Sequence, residues 1–369
     1  MIRKLNRAVK NWLRPKRIAL GRVIWDRRES GKRVEKIDLS QINSILFMRY
    51  DGKIGDMVVN TLMFREIKKR YPHIEIGVVT RGAAIDIIKS NPYVDEIYKF
   101  EKGKSNSIDK RYDLLIDFSE TLRVNEMKFI NLCKAKFNMG LDKGDWKLFD
   151  LSVEPGKDFE WNEHITQRYA GYLRKLGIEN PDLSYEIFIP EEIRERAEKF
   201  FSNISEEVKV ILNPYGASKH KNFNSETLKF IVEKLREKGC ATIFVAPPDK
   251  REEIEKLIQE IGTEKVYFNP EGKSILESAS FIERSDLVIT PDTSIVHIGT
   301  AFKKRVISVY PPNGGTRGVD HLVWSPLGED TVMLFCREIK NSNEVMNINS
   351  FQREEMENYI ETYSRRKDD

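Results

Sequence analysis

Cysteine and long apolar runs are what this chain has least of, and each shortage removes a class of protein. Its three cysteines, Cys133, Cys240 and Cys336, lie far apart, fit no metal spacing and cannot build a disulfide framework. They read as buried or incidental thiols. No apolar run approaches the roughly 20 residues that span a bilayer, and the N-terminus lacks the apolar centre of a signal peptide. A cytoplasmic location is the expectation. What is present, 40% hydrophobic and 33% charged residues, is the balance of a soluble globular protein, and 369 residues suffice for two domains that each bury a core.

The net charge is only +4, but it is unevenly spread. Residues 1–36 hold thirteen Lys or Arg against Asp26, Glu29 and Glu35, with Trp12, Leu13, Ile18, Leu20, Val23, Ile24 and Trp25 interleaved. A segment of this kind, taken as residues 1–40, suits an anionic membrane surface, with cations at the headgroups and tryptophans at the interface. A basic arm also attracts nucleic acid, and a solvated arm or a helix packed on its own body is the plain alternative. Pro15 argues against one uninterrupted ideal helix.

From Gln41 onward, strand-like and helix-like segments alternate. Strands are expected at 44–49, 74–79, 112–118 and 135–139, with helical periods at 57–71, 82–90 and 121–133. A connection rich in helix and proline follows over 158–190. A second series then has strands at 208–213, 241–246, 265–268, 286–290 and 305–309, and helices near 191–202, 225–238, 249–261, 274–283 and 293–302. Short apolar strands between amphipathic helices imply a parallel sheet covered on both faces, so the chain is predicted to be α/β with two Rossmann-like lobes and a central cleft. The lobes are placed at residues 41–185 and 186–345, with a closing segment at 346–369. Ligands of such sheets bind beyond the carboxyl ends of the strands, which singles out the loops after 49, 213, 246 and 290.

Polar residues collect in those loops. The stretch RYDGKIGDMVVNT at 49–61 joins an apolar strand to a helix through Gly52, Gly55 and Asp56. Glycines let the backbone approach a ligand, and a helix start offers unpaired N–H groups. Asp56 is either a carboxylate at the mouth of that site or a helix cap. After the strand at 208–213 comes NPYGASKHKNF, where Asn213, Gly216, Ser218, Lys219 and Lys221 suit a phosphate; surface turns favour the same residues. After 286–290 comes TPDTSIVHIGTA, with Asp292, Thr293 and Ser294 at a helix start and His297 one turn on, facing either the cleft or the packed interior.

Together, R-x-D-x-x-GD, N-P-x-GAS-x-x-K-x-F and P-D-T-S-x-x-H, in this order, resemble the heptosyltransferases, glycosyltransferase family nine, which have the GT-B fold. The resemblance covers roughly residues 44–330 and extends to YPHIEIGVVT at 71–80, NPYVDEIY at 91–98, YDLLIDF at 112–118, Trp324 and Pro326. It implies that Asp56 is the base that deprotonates an acceptor hydroxyl as it attacks the anomeric carbon of a nucleotide sugar, with inversion. It implies that Lys221 contacts the donor diphosphate, that Thr293 and Ser294 form the phosphate-binding helix start, that Asp292 lies near the donor sugar, and that Gly216, Ser218 and His297 line the donor site. Arg49, Asp51, Gly52, Lys53 and Gly55 would form the acceptor loop. No Asp-x-Asp pair is placed to hold Mg²⁺, so transfer is expected without a metal or other cofactor.

The implied donor is an ADP-heptose, used as substrate, and the implied acceptor a lipopolysaccharide or lipooligosaccharide core, with the enzyme peripheral on the inner membrane and no nucleic-acid partner. Departures stand beside this: Ser294 replaces a usual glycine, Lys-x-Trp-Pro appears as Lys221, Asn222, Phe223 and Asn224, and the basic extension is unusual. Two other classes share these features: another GT-B enzyme on a different nucleotide sugar, such as an epimerase, and a non-enzymatic carbohydrate or nucleic-acid binding module. Residues 346–365 read as a final amphipathic helix, which in GT-B proteins often crosses back to the first lobe.

Overall fold

The structure is a computed structural model that describes residues 2–27, 33–101, 108–269, 271–338 and 346–363, with side chains from Trp12 onward. Arg28, Lys32 and the last residues of the chain, part of the expected arm and closing segment, lie outside the described residues.

A helix, α1 (Ile2–Trp25), precedes the first lobe. That lobe runs β1 (Ser44–Met48), α2 (Ile54–Arg70), β2 (Glu75–Thr80), α3 (Ala84–Ile88), β3 (Glu96–Lys99), β4 (Leu114–Asp117), α4 (Val124–Cys133), β5 (Phe137–Leu141) and β6 (Leu151–Val153). After α5 (Ile165–Lys175) and α6 (Glu191–Phe201), the second lobe runs β7 (Lys209–Leu212), α7 (Ser225–Glu237), β8 (Ala241–Phe244), α8 (Arg251–Ile261), β9 (Val266–Phe268) and α9 (Ile275–Glu283). It continues through β10 (Leu287–Pro291), α10 (Ser294–Ala301), β11 (Arg305–Tyr310), α11 (Asp320–Val323) and β12 (Thr331–Phe335) to α12 (Arg353–Tyr363).

Both sheets are parallel and share one winding. Their orders are β3-β2-β1-β4-β5-β6 and β12-β11-β10-β7-β8-β9, the same doubly wound Rossmann pattern twice. Register follows the apolar runs: Ile45, Leu46 and Phe47 of β1 sit opposite Ile76, Gly77 and Val78 on one side and Leu114, Leu115 and Ile116 on the other. These strands are buried on both faces, which is why they are continuously apolar rather than alternating. Burying each such side chain contributes about 1.5–3 kcal/mol.

The expected strands are present, and the three that the sequence pattern did not show are edges. β3 is half-exposed, β6 has three residues, and β12 closes the far side of the second sheet. An edge strand packs on fewer neighbours and carries no continuous apolar signal.

Two expectations are corrected. α1 continues through Pro15, where a break was expected. A proline inside a helix costs about 3 kcal/mol through a lost N–H and a crowded preceding turn; Pro15 is exposed, so water can reach the carbonyl left without a partner, and the C-terminal third of the helix is held by the lobe. α12 does not cross back. Met356 and Ile360 enter the core of the second lobe beside Val232 and Leu235, Lys234 pairs with Glu357 at 2.9 Å, and the Arg305 guanidinium donates to the Tyr363 carbonyl at 3.0 Å. Its apolar face is spent on α7 and β11, leaving none for the first lobe.

The lobes meet where α2 faces α10. One hydrophobic cluster contains Met57, Val58 and Leu62 from the first lobe and Ile295 and Ile298 from the second, with Tyr185, Ile187 and Ile189 of the connection between them. His164 adds a polar tie: its Nδ1 accepts from the Thr166 N–H at 3.3 Å, so Nε2 carries the proton donated to the Ser325 carbonyl at 3.1 Å.

Candidate functional site

Each lobe opens at its topological switch point, β1 against β4 in the first and β7 against β10 in the second, where adjacent connections diverge and leave a crevice. Two cavities lie there. One of about 560 Å³ is walled mainly by the first lobe, and one of about 300 Å³ mainly by the second.

In the first cavity, Asp56 stands in the opening turn of α2 and does not cap it. The cap position belongs to Lys53, which makes no side-chain capping bond. The Asp56 carboxylate instead lies 3.3 Å from the Arg49 guanidinium and 3.9 Å from the Lys53 ammonium. Arg49 is buried: it donates to the Tyr169 hydroxyl, lies 4.7 Å over the Phe118 ring, and its Nε finds no partner among the described residues. Burial raises the Asp56 carboxyl above its ordinary value of 3.8, with Arg49 and then Lys53 pulling the other way. The result is a carboxylate of increased basicity fixed on a rigid element, as a general base requires.

The loop before it is shaped by glycine. Gly52 has φ +71°, and a Cβ there would lie 2.9 Å from the Arg81 carbonyl, so an L-residue would be strained twice. Asp51 helps to set the turn: its carboxylate accepts from the Lys53 N–H at 3.3 Å and its carbonyl from Arg81 Nη2 at 3.2 Å. Gly55 has a different role from close approach to a ligand. A Cβ there would stand 2.8 Å from His297 Cδ2, so this glycine lets the lobes touch.

Much of the rest of this cavity comes from residues outside the three motifs. Arg81 follows β2, Ser119, Glu120, Thr121 and Arg123 follow β4, and Arg168 and Tyr169 lie on α5. With Lys53 and Arg49 they supply five cations, which face four carboxylates: Asp51, Asp56, Glu120, 3.5 Å from Arg168, and Glu126, 3.7 Å from Arg123. Behind the β4 loop the buried Lys143 ammonium donates to the carbonyls of Ser119 at 2.7 Å and Glu120 at 3.1 Å, beside Asp117, whose carboxyl burial also raises. Arg317 and Trp324 reach over from the second lobe, Arg317 pairing with Glu120 at 2.8 Å.

The second cavity holds three of the seven expected donor residues. Gly216, Thr293 and Ser294 line it with Asn213, Tyr215, Val245 to Pro248, Lys273 and Ile275. Thr293 is the cap residue of α10, extended at φ −161°, and its hydroxyl makes no capping bond, so the helix start keeps donors aimed at the cleft. Gly216 is demanded by close packing: a Cβ would come within 2.6 Å of the Lys221 carbonyl. Lys221 and Asp292 line neither cavity; they pair with each other, so in this state the lysine is neutralised by its neighbour. Asn213 is spent on the turn, donating to the Tyr215 carbonyl at 2.8 Å and the Thr290 hydroxyl at 2.9 Å. Ser218 is exposed and lines neither cavity.

His297 also lines neither cavity. It is buried between the lobes, 5.7 Å from the Trp324 ring centroid with Nδ1 3.5 Å from the Tyr185 hydroxyl, and burial pushes it down to about 3. It is a neutral packing residue at neutral pH. The cysteines are free, as expected, with Cys240 and Cys336 buried. Among the described residues no group of three His, Cys, Asp or Glu is arranged to hold a metal ion.

Comparison with known proteins identifies the family and the fold. The family model of glycosyltransferase family 9 (heptosyltransferase) matches residues 106–353. The chain is 24% identical over 301 residues to an Escherichia coli protein provisionally named lipopolysaccharide heptosyltransferase 4, covering 78% of this chain and 80% of that one. It is 20% identical over 274 residues to the lipopolysaccharide core heptosyltransferase OpsX of Haemophilus influenzae, covering 70% and 76%. Among solved structures it is similar to a family 9 glycosyltransferase from Veillonella parvula, with a TM-score of 0.71 at 17% identity over 89% of this chain and 99% of that one. It is similar also to E. coli heptosyltransferase WaaC solved with ADP, with a TM-score of 0.63 at 16% identity over 87% and 99%.

Proposed function

The chain belongs to glycosyltransferase family 9, the heptosyltransferases, and from that premise we propose that it moves a heptose from ADP-heptose onto a lipid-linked core saccharide, with inversion and without a metal. The observation that carries this reading is the opposition of the two cavities: a buried carboxylate of raised basicity stands in one, and a helix start with free donors beside a lysine stands in the other.

Each residue then has a step. Asp56 takes the proton of the acceptor hydroxyl as its oxygen bonds to the anomeric carbon, and Arg49 holds the carboxylate in place. The bond from that carbon to the diphosphate breaks, and negative charge grows on the leaving nucleoside diphosphate. Thr293, Ser294 and Lys221 oppose that charge, the lysine exchanging Asp292 for phosphate oxygen. The walls around Tyr215, Val245 and Pro247 are apolar enough to take a base. Cations at Arg81, Arg123 and Arg168 suit an acceptor that carries carboxylate or phosphate. That acceptor is carried by a lipid, which places the enzyme on the cytoplasmic side of the inner membrane with residues 1–40 toward the anionic surface. WaaC has been solved with ADP-2-deoxy-2-fluoro heptose, and this supports ADP-heptose as the donor to test first.

The test is calorimetric titration with ADP, UDP and GDP in EDTA, followed by a transfer assay with ADP-heptose. Selective ADP binding and a transferred heptose are expected. UDP preference would redirect the donor search, an isomerised donor without acceptor would favour an epimerase, and no nucleotide binding would remove the proposal.

A further inference from the structure

The two faces of α1 meet different surroundings. One is docked on the first lobe. Gly21 lies so close to Val124 that a Cβ would stand 2.7 Å from its methyl carbon, Asn131 donates to the Trp25 carbonyl at 3.2 Å, and the Arg22 guanidinium lies 4.4 Å over Trp146. Just beyond the helix, Asp26 accepts from the Leu148 N–H at 2.8 Å.

The other face is apolar and bare. Trp12, Leu13, Leu20, Val23 and Ile24 are 63, 39, 61, 65 and 47% exposed. At 3.6 residues per turn these five fall on one arc of about 120°, which Lys16 shares and from which its long stem can carry the ammonium out to the headgroups, while Ile18, Gly21 and Trp25 lie on the far side. Arg14, Lys16, Arg17 and Arg27 are exposed along the same stretch, Lys16 resting 3.6 Å over the Trp12 ring, and α1 contains no Asp or Glu. Among the described residues no helix is long and apolar enough to cross a membrane.

We infer that α1 lies in the plane of an anionic bilayer and, by its rigid docking on α4, sets the rim of the acceptor cavity at a fixed height above the lipid. The charge pattern selects this occupant. A second copy would bring two all-cationic helices together, and nucleic acid would leave the apolar arc in water. A bilayer takes both at once: lipid tails accept the arc, and headgroups accept the cations.

The position of the helix gives the inference its functional content, which rests on reading the larger cavity as the acceptor site. Val124, the residue that meets Gly21, lies between Arg123 and Asn125, both of which line that cavity. The rim therefore stands about one helix diameter, roughly 10–12 Å, from the lipid-facing side. That is just outside a headgroup layer about 5–8 Å deep, the level of the first sugars carried by a membrane lipid. The helix is thus a spacer of set height, and the acceptor sugar arrives without leaving its lipid.

The experiment uses the full chain with vesicles of phosphatidylethanolamine and phosphatidylglycerol, and vesicles of phosphatidylcholine alone. Sedimentation should show binding to the anionic vesicles, reduced at least about tenfold by Leu20→Glu with Ile24→Glu and weakened by salt. Both side chains are exposed, and an unchanged urea unfolding midpoint confirms that the variant is folded. Height is read in a Cys133→Ser background, with a fluorophore on Thr121→Cys at the cavity rim or on Lys256→Cys of α8, against nitroxide-labelled lipid. Quenching at 121 but not at 256 is expected. Absence of vesicle binding, equal quenching at both sites, or quenching at neither would overturn the inference. Self-association or nucleic-acid binding that the two glutamates abolish, without vesicle binding, would overturn it in favour of that partner. None of these readouts needs a donor or acceptor, so failure here is separable from failure of the transferase reading.

Discussion

Arg49→Met tests whether the buried pair, rather than packing alone, organises the candidate base. Methionine keeps the length and the apolar contact with Phe118 but removes the guanidinium that lies 3.3 Å from Asp56, in a pair whose side chains are only 7% and 14% exposed. Removing one partner of a buried pair costs about 3–5 kcal/mol, because the other charge is left desolvated without compensation. The pH dependence follows from which form of Asp56 is left behind. Its carboxyl is already raised above the ordinary 3.8 by burial, and Arg49 is the largest influence holding it down. Without Arg49 it rises further, so the folded state favours the protonated form more than the unfolded state does. For an acid whose folded pKa is raised, stability is lost as pH climbs from the unfolded value through the folded one. The variant should therefore lose about 3–5 kcal/mol in urea unfolding near pH 8, and clearly less near pH 4, where protonated Asp56 needs no cation. A deficit equal at both pH values would refute the reasoning and assign Arg49 a packing role.

Asp56→Asn should abolish transfer while leaving ADP affinity within about twofold, since the carboxylate lies in the other cavity; unchanged turnover would remove Asp56 from the mechanism. In the unaltered enzyme the acid limb of the kcat profile should lie above pH 3.8, because the base must be ionised and burial raises it. Lys221→Ala should weaken ADP binding at least about tenfold, a loss of about 1.4 kcal/mol by calorimetry, and flatten its salt dependence; equal affinity would place the diphosphate elsewhere. Gly55→Ala should destabilise by about 1–3 kcal/mol through overpacking, as its Cβ meets His297 Cδ2 at 2.8 Å, and an unshifted urea midpoint would mean that the lobes separate there freely.

Much of this molecule is carried by local sequence. Strands such as SILFM and KVIL are apolar without alternation, which only a sheet covered on both faces tolerates, and the doubled series of them determined two Rossmann lobes. Loop residues at strand ends were equally legible, since Asp56, Thr293 and Ser294 sit at helix starts that the adjoining strands aim into the cleft. Only the tertiary structure decided the functions that depend on distant partners. Nothing near Asp56 in the chain foretells Tyr169, which anchors Arg49, or Arg168 and Trp324, which wall the cavity. Gly55 read as a ligand neighbour in sequence, and His297, open there between cleft and packing, was put beside the donor only by the family resemblance; both are interlobe packing in space, because the same small or polar residue serves either contact. The edge strands β3, β6 and β12, the passage of α1 through Pro15 and the seat of α12 were settled in the same way: their stability comes from what they pack against, and packing partners are not written in local pattern.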